Sequence, residues 1–230
     1  MTPIRFRFPV FLFLAVAVNT GYAHIGYAQQ QAPEGLAWLQ KIARSARELN
    51  YAGTFVYQHG NQVETSRITH FVDAAGEHEK LEALDGSPRE IIRNNDQVMC
   101  YFPDAKTVKV DKRSASRTFP ALLPEQLTGL ANNYQIRIGS QNRIAGHDCQ
   151  VVILEPKDKL RYGHRFCAAI DSGLLLKAKM LNERNDVVEQ FAFTQLTIGD
   201  AIGKEMVESR FDAKTLGWKF DRTAAPETSA

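Results

Sequence analysis

Two groups of residues in this chain have side chains that could do chemistry. His147, Cys149, His164 and Cys167 are the residue types of a zinc site, which needs four ligands converging at about 2.0–2.3 Å. Their spacing argues against convergence. The stretch CQVVILEPKDKLRYGHRFC reads as a β-hairpin with its turn centred on Pro156 to Asp158. Alternate strand residues face opposite ways, so His147 and Cys149 share a face while His164 and Cys167 do not. The second group is His59, His70, Glu77 and His78, with Ser66 and Thr69 as the nearby hydroxyls. No GxSxG elbow or other activating frame surrounds those hydroxyls. The group therefore reads as polar side chains on the solvent face of a sheet. Neither HExxH nor a glycine-rich phosphate loop occurs in the sequence. The expectation is no catalytic residue, no metal and no cofactor.

The cysteines do a different kind of chemistry. Cys149 and Cys167 sit at mirror positions about the expected turn, so they are either a cross-strand disulfide or two buried thiols. A disulfide there would stabilise by about 3 kcal/mol on the loop-entropy model. Cys100 reads as a small buried hydrophobe on a strand. The compartment favours oxidation. Met1 to Phe8 carries Arg5 and Arg7 and no acid, Pro9 to Val18 is apolar, and Gly26-Tyr27-Ala28 offers small residues to a signal peptidase. Residues 1–28 are thus expected to be a signal peptide cleaved before Gln29, with cleavage after Ala23 as the alternative. The mature chain is expected to be exported.

Apolar periodicity gives the elements that would position these residues. Leu36, Leu39, Ile42, Ala43, Ala46 and Leu49 recur at helical spacing, after a polar leader over residues 29–35. From Tyr51 the period becomes two. Strands are expected over 52–57, 63–72, 77–84, 88–93, 97–102 and 107–110, divided by turn signals such as His59-Gly60-Asn61. A short covering helix is expected over 121–130. Strands resume over 134–138, 143–145, the two arms of the cysteine hairpin, 174–181 and 187–198. The pattern fades after Gly203, so residues 204–230 read as a C-terminal extension or linker. The fold class is mainly β (α+β), with about ten antiparallel strands in a long curved sheet and helices against one face.

Acids and bases are interspersed and the formal net charge is +2, which excludes the strongly basic footprint of a nucleic-acid binder. The binding candidates are apolar and basic. Phe55, Tyr57, Val63, Phe71, Tyr101, Phe191 and Phe193 are the candidate lining of an apolar cavity between helices and sheet. Lys157, Lys159 and Arg161 form a candidate basic patch at the hairpin tip, suited to an acidic partner or to lipid phosphates.

Longer stretches carry a resemblance. The first helix followed by LNYAGTFVYQHGNQVETSRITH, then LEALDGSPREIIRNNDQVMCYFPD, FPALLP, and GSQNRIAGHDCQVVILEPKDKLRYGHRFCAAIDSGLLLKAKMLNERNDVVEQFAFT, resemble the MucB/RseB family over roughly Leu36 to Ile202. The resemblance implies a LolA/LolB-like N-terminal domain over residues 29–203, an unclosed antiparallel β-barrel with covering helices. It implies a periplasmic binding protein rather than an enzyme, a negative regulator of an envelope-stress sigma factor. Its partner would be the periplasmic segment of a membrane-spanning anti-sigma factor of the RseA/MucA type, shielded from proteolysis. Lipid or lipopolysaccharide fragments in the cavity would release it. The alternative on the same fold is a periplasmic lipid or lipoprotein carrier. Family members usually carry a small C-terminal domain, and this chain ends at Ala230, where the linker to it would begin.

Overall fold

The computed structural model describes residues 23–95, 97–112, 127 and 129–222. The expected signal sequence up to residue 22 and most of the expected 121–130 helix lie outside them. Helix α1 (Ala23–Glu48) begins upstream of the expected mature start and runs through the stretch expected to be a polar leader. Leu39, Ile42 and Ala46 are its buried stripe, at the spacing that puts side chains on one helical face. A four-residue helix, α2 (Leu130–Asn133), precedes the second half of the sheet.

Among the described residues, twelve strands form one sheet. The first half is β1 (Tyr51–His59), β2 (Gln62–Asp73), β3 (Gly76–Ala83), β4 (Glu90–Asn94), β5 (Gln97–Phe102) and β6 (Thr107–Lys112). The second is β7 (Tyr134–Ile144), β8 (His147–Pro156), β9 (Gly163–Ala169), β10 (Leu175–Leu181) and β11 (Val187–Ile198). Each half is an antiparallel meander. The two join where β1 pairs with β11, and with a C-terminal edge strand, β12 (Lys219–Arg222), the order is β12-β6-β5-β4-β3-β2-β1-β11-β10-β9-β8-β7. The sheet is curved and does not close into a barrel. The stretches expected as separate strands over 134–138 and 143–145 are one strand with a register shift between Ile138 and Gln141.

The inner face is apolar and carries α1. Leu39 and Ile42 pack with Phe55, Ile68, Val152, Leu154, Phe166, Ala178 and Phe191. At Gly35 the helix comes so close to β7 that a Cβ would stand 2.4 Å from Ile136 Cγ2. Further along, Lys41 Nζ donates to Ile170 O at 2.7 Å and Ser45 Oγ to Ser172 O at 2.6 Å, fastening α1 to the β9–β10 turn.

The outer face is covered in its first half by the C-terminal segment. Residues 204–222 are packed structure rather than a free linker. Two short 3-10 helices, Lys204–Val207 and Asp212–Lys214, lead to β12 (Lys219–Arg222), which joins the sheet edge parallel to β6. That parallel pairing departs from the expected all-antiparallel sheet. Phe211 and Trp218 pack on Ile92, Tyr101 and Val108, and Tyr101 hydrogen-bonds to Asp212. Burying this strap's polar groups required partners. Lys80 Nζ donates to Glu208 O at 2.9 Å and Ser209 Oγ to Glu90 at 2.7 Å. Arg210 Nε lies 2.8 Å from Glu90, which has no exposed side-chain surface.

Cys149 and Cys167 are disulfide-bonded, with Cα atoms 5.4 Å apart. They are not mirror partners. Cys149 stands opposite Ala169 and Cys167 opposite Val151, so the bond is a diagonal on the outer face. Cys100 is half-buried, less sheltered than the sequence suggested.

Replacing Cys149 and Cys167 together by alanine is expected to lower unfolding free energy by about 3 kcal/mol, read by urea titration. Reductant should reproduce the loss in the native protein. Arg210→Ala is expected to cost about 1–2 kcal/mol, because Glu90 keeps Ser209 and the more distant Lys80 while losing its nearest cation. An unchanged urea midpoint would show that the strap lies on the sheet without holding it.

Candidate binding surfaces on the two faces of the sheet

Strand register divides the expected cavity residues between the two faces. Phe55 stands opposite Phe193, and Tyr57 opposite Phe191, all four on the inner face. Phe55, Phe191 and Phe193 pack edge to face with ring centroids 6.0–6.3 Å apart, the geometry aromatic quadrupoles favour. They are core residues at 1–4% exposure. The Tyr57 hydroxyl donates to Glu189 at 2.6 Å. Burial and that carboxylate raise its pKa above the phenol's ordinary value. Val63, Phe71 and Tyr101 belong to the outer face and cannot line the same cavity. Val63 is 58% exposed, Phe71 lies against His78, and Tyr101 is under the strap. The sequence could not separate the two sets because strand parity is decided by partners that are distant in the chain.

The histidine group also departs from the solvent-face reading. His59 is exposed, but His70 and His78 are buried. His70 lies on the inner face at the corner where α1 turns into β1, stacked on Tyr51 at 5.0 Å. Its Nδ1 is 2.8 Å from Leu49 O and its Nε2 is 3.2 Å from Glu77 Oε1. Arg93 lies 3.1 Å from Glu79 and 4.0 Å from Glu77. His78 lies on the outer face, bonded to Asn94 at 2.9 Å and Asp73 at 3.2 Å. Lys204 in the strap also bonds Asp73, at 3.0 Å. Ser66 and Thr69, the hydroxyls nearest this group, lie on opposite faces of β2. The arrangement fastens a helix end and a strap.

The zinc-type residues are likewise parted. Cys149 and Cys167 are bonded to each other, and His164 stacks on Phe166 at 5.7 Å on the inner face. Burial holds the His164 imidazole below its ordinary pKa. Among the described residues no group of three or more His, Cys, Asp or Glu side chains is placed to hold a metal ion.

At the hairpin tip, two of the three expected basic residues are occupied. Lys157 Nζ donates to Ala131 O at 2.7 Å, and Arg161 pairs with Asp158. Between them Leu160 is 89% and Tyr162 49% exposed. The tip faces the β10–β11 turn across a cleft lined by Asn182, Glu183 and Arg184. A second cleft continues from the tip down to Ile153 and Arg165. A third, on the outer face, is lined by Gly139, Val151, Ile153, Arg165, Lys177 and Lys179, among others. Sequence reasoning missed these last three cations, because no local pattern shows that residues of β9 and β10 stand side by side.

The sequence model of the MucB/RseB N-terminal domain matches residues 34–211. The chain belongs to the MucB/RseB family. The match runs past residue 203 into the strap, where the domain was expected to have ended. Among curated relatives, the sigma factor AlgU regulatory protein MucB of Pseudomonas aeruginosa is 30% identical over 190 residues, covering 81% of this chain and 58% of that protein. The sigma-E factor regulatory protein RseB of Haemophilus influenzae is 26% identical, covering 71% of this chain and 52% of that one. The chain thus spans little more than half the length of these relatives. A crystal structure of MucB superposes with a TM-score of 0.64 at 29% identity, covering 77% of this chain and 63% of MucB. The crystal structure of MucB in complex with MucA(peri) gives 0.60 at 29% identity, covering 75% and 58%.

The carboxylates of the histidine group predict an acid limit for the family fold in this chain. Asp73 is held at about 2, first by the hydrogen bond from Lys204 and then by the Ala75 amide. Glu77 is lowered, chiefly by its hydrogen bond with His70. In the unfolded chain both titrate near about 4. Their stabilisation is therefore complete above that value and lost as pH falls toward the folded values. Urea midpoints are expected to drop between about pH 4 and about pH 2, and Asp73→Asn is expected to flatten the drop. A variant as acid-sensitive as the native protein would remove Asp73 from this account.

Proposed function

We propose that this protein is a periplasmic negative regulator of an envelope-stress sigma factor. It binds the periplasmic segment of a membrane-spanning anti-sigma factor of the RseA/MucA type and shields that segment from proteolysis. The carrying observation is the family match over 34–211, together with the superposition on MucB as it stands in complex with MucA(peri). The side chains best placed for acid–base chemistry, His70, Glu77 and His78, are spent on structural hydrogen bonds. We therefore read the chain as a binding protein and not an enzyme. Lipid would act from the inner face, where Phe55, Phe191 and Phe193 are packed beneath α1 and would have to part to admit an acyl chain.

The test is calorimetric titration of the purified protein with the periplasmic segment of the same organism's anti-sigma factor. Saturable one-to-one binding that also slows proteolysis of the segment is expected. Absence of binding, with acyl lipid co-purifying, would replace this proposal with the lipid-carrier reading.

A further inference from the structure

The outer face carries an arrangement that folding alone does not explain. Lys179 in β10 stands directly opposite Arg165 in β9, and Lys177 follows two residues along on the same face. Directly opposed side chains have Cβ atoms about 4.5–5.5 Å apart, and like charges there are destabilising. Elsewhere Glu79 stands opposite Arg93, and where like charges do face each other, Glu82 against Glu90, Lys80 and Arg210 pair with both. Among the described residues, no carboxylate lies within ion-pairing distance of Arg165, Lys177 or Lys179. Lys177 is half-buried, and burial together with Lys179 lowers its ammonium pKa. The three cations share a cleft of about 280 Å³ whose floor is Val151 and Ile153 and whose rim is Gly139, Ser140 and Asn142; no acid lines it.

A concentrated positive cleft with an apolar floor suits an anionic headgroup, and the neighbouring tip indicates which kind. Arg165 and Ile153 also line the cleft that leads to the β8–β9 hairpin, so the two sites are continuous. There Leu160 projects with 89% of its surface exposed and Tyr162 is half exposed, flanked by Lys159 and Arg184. An exposed leucine and a tyrosine within a basic rim are what a bilayer interface accepts. An acidic peptide would satisfy the cations but would leave Leu160 in water. The connecting cleft also carries Glu155, Asp158 and Glu183; Asp158 is neutralised by Arg161 and Glu155 by Arg137, which leaves Glu183.

We propose that the Arg165–Lys177–Lys179 cleft binds the phosphate of an anionic phospholipid at a bilayer surface, with Leu160 and Tyr162 seated in the interface beside it. This goes beyond the regulatory reading and does not depend on it. The like-charge cluster is then a binding site whose cost to the empty fold is offset when a phosphate arrives.

Co-sedimentation of the whole protein with phosphatidylglycerol vesicles, against phosphatidylcholine vesicles, tests it. Binding to the anionic vesicles alone is expected, weakening with salt. Each cation near an anionic surface contributes about 1 kcal/mol, so the variant R165Q/K177Q/K179Q should bind on the order of a hundredfold more weakly. The same variant should melt at the same or a higher temperature, since like-charge repulsion is relieved; that separates lost binding from lost folding. Lys179→Glu, which creates an opposed pair with Arg165, should also abolish binding while raising the melting temperature. Equal vesicle binding by native and triple-variant protein would overturn the proposal. So would stabilisation by inorganic phosphate without vesicle binding, which would make the site one for a free anion. Binding to an acidic peptide but not to vesicles would likewise overturn it.

Discussion

Everything in this fold depends on the pairing of β1 with β11. The strands of each half are neighbours in sequence and close by short turns, but among the described residues the two meanders are hydrogen-bonded to each other where Tyr51–His59 lies against Glu189–Ile198. That contact is tightly specified. Thr54 stands opposite Gln195 and Phe55 opposite Phe193, so Thr194 is an extra residue, and its hydroxyl returns to Thr54 O at 3.1 Å. Beside the bulge, Gly53 has no room for a side chain: a Cβ would be 2.5 Å from Gln195 O and 2.8 Å from the Phe193 ring. The missing side chain lets Phe193 fold over the backbone and join Phe55 and Phe191. Backbone register and aromatic packing therefore select each other, as bulges in antiparallel pairs commonly require.

A sheet of this width that does not close has two faces to cover, and this chain covers them by different physics. The inner face buries hydrocarbon beneath α1. Under the strap, the outer face buries charge: Lys80, Glu82 and Glu90 are each 8% exposed or less, and their partners come from residues 208–210. A cover made of ion pairs is geometrically demanding, since each buried charge needs its partner in place. It fixes where the strap lies, and so brings β12 to the β6 edge, which would otherwise be an open ladder of donors and acceptors. Beyond β1, on the β8–β10 side, the outer face is left to the disulfide and the cationic cleft.

Much of the architecture was legible in the sequence because its strands alternate well. The spans of β5 and β11 were read as they stand, and the apolar stripe of α1 was read from Leu36 onward. Long-range pairings were harder. Tyr101 and Phe191 look alike as strand aromatics, yet one lies under the strap and the other beneath α1. The two cysteines stand two residues out of register because the hairpin turn occupies Lys157–Tyr162 and is not centred on Pro156–Asp158. His70 reads as solvent-facing because polar residues usually are, and nothing in the sequence singles out Lys80 or Glu90. Their burial became visible only once residues from beyond Gly203, or from the end of α1, were seen lying on them. The pairing of Arg165 with Lys179 has the same character. Neither residue is unusual where it stands in the chain, and the information lies in the register between two strands.

The placement of β1 also sets an order of events for a chain that emerges from its N-terminus. β2 is made at once and can pair with one edge of β1, whereas β11 follows after most of the chain has emerged. Through that interval the other edge of β1, bearing Phe55 and Tyr57, has no native partner. Contacts of such sequence separation are formed slowly, and an unpaired apolar edge is a template for strands of other molecules. The nascent protein therefore carries its greatest risk of aggregation at the strand that ends up in the middle of the sheet, and it stands to benefit most from a holding chaperone until residue 198 arrives.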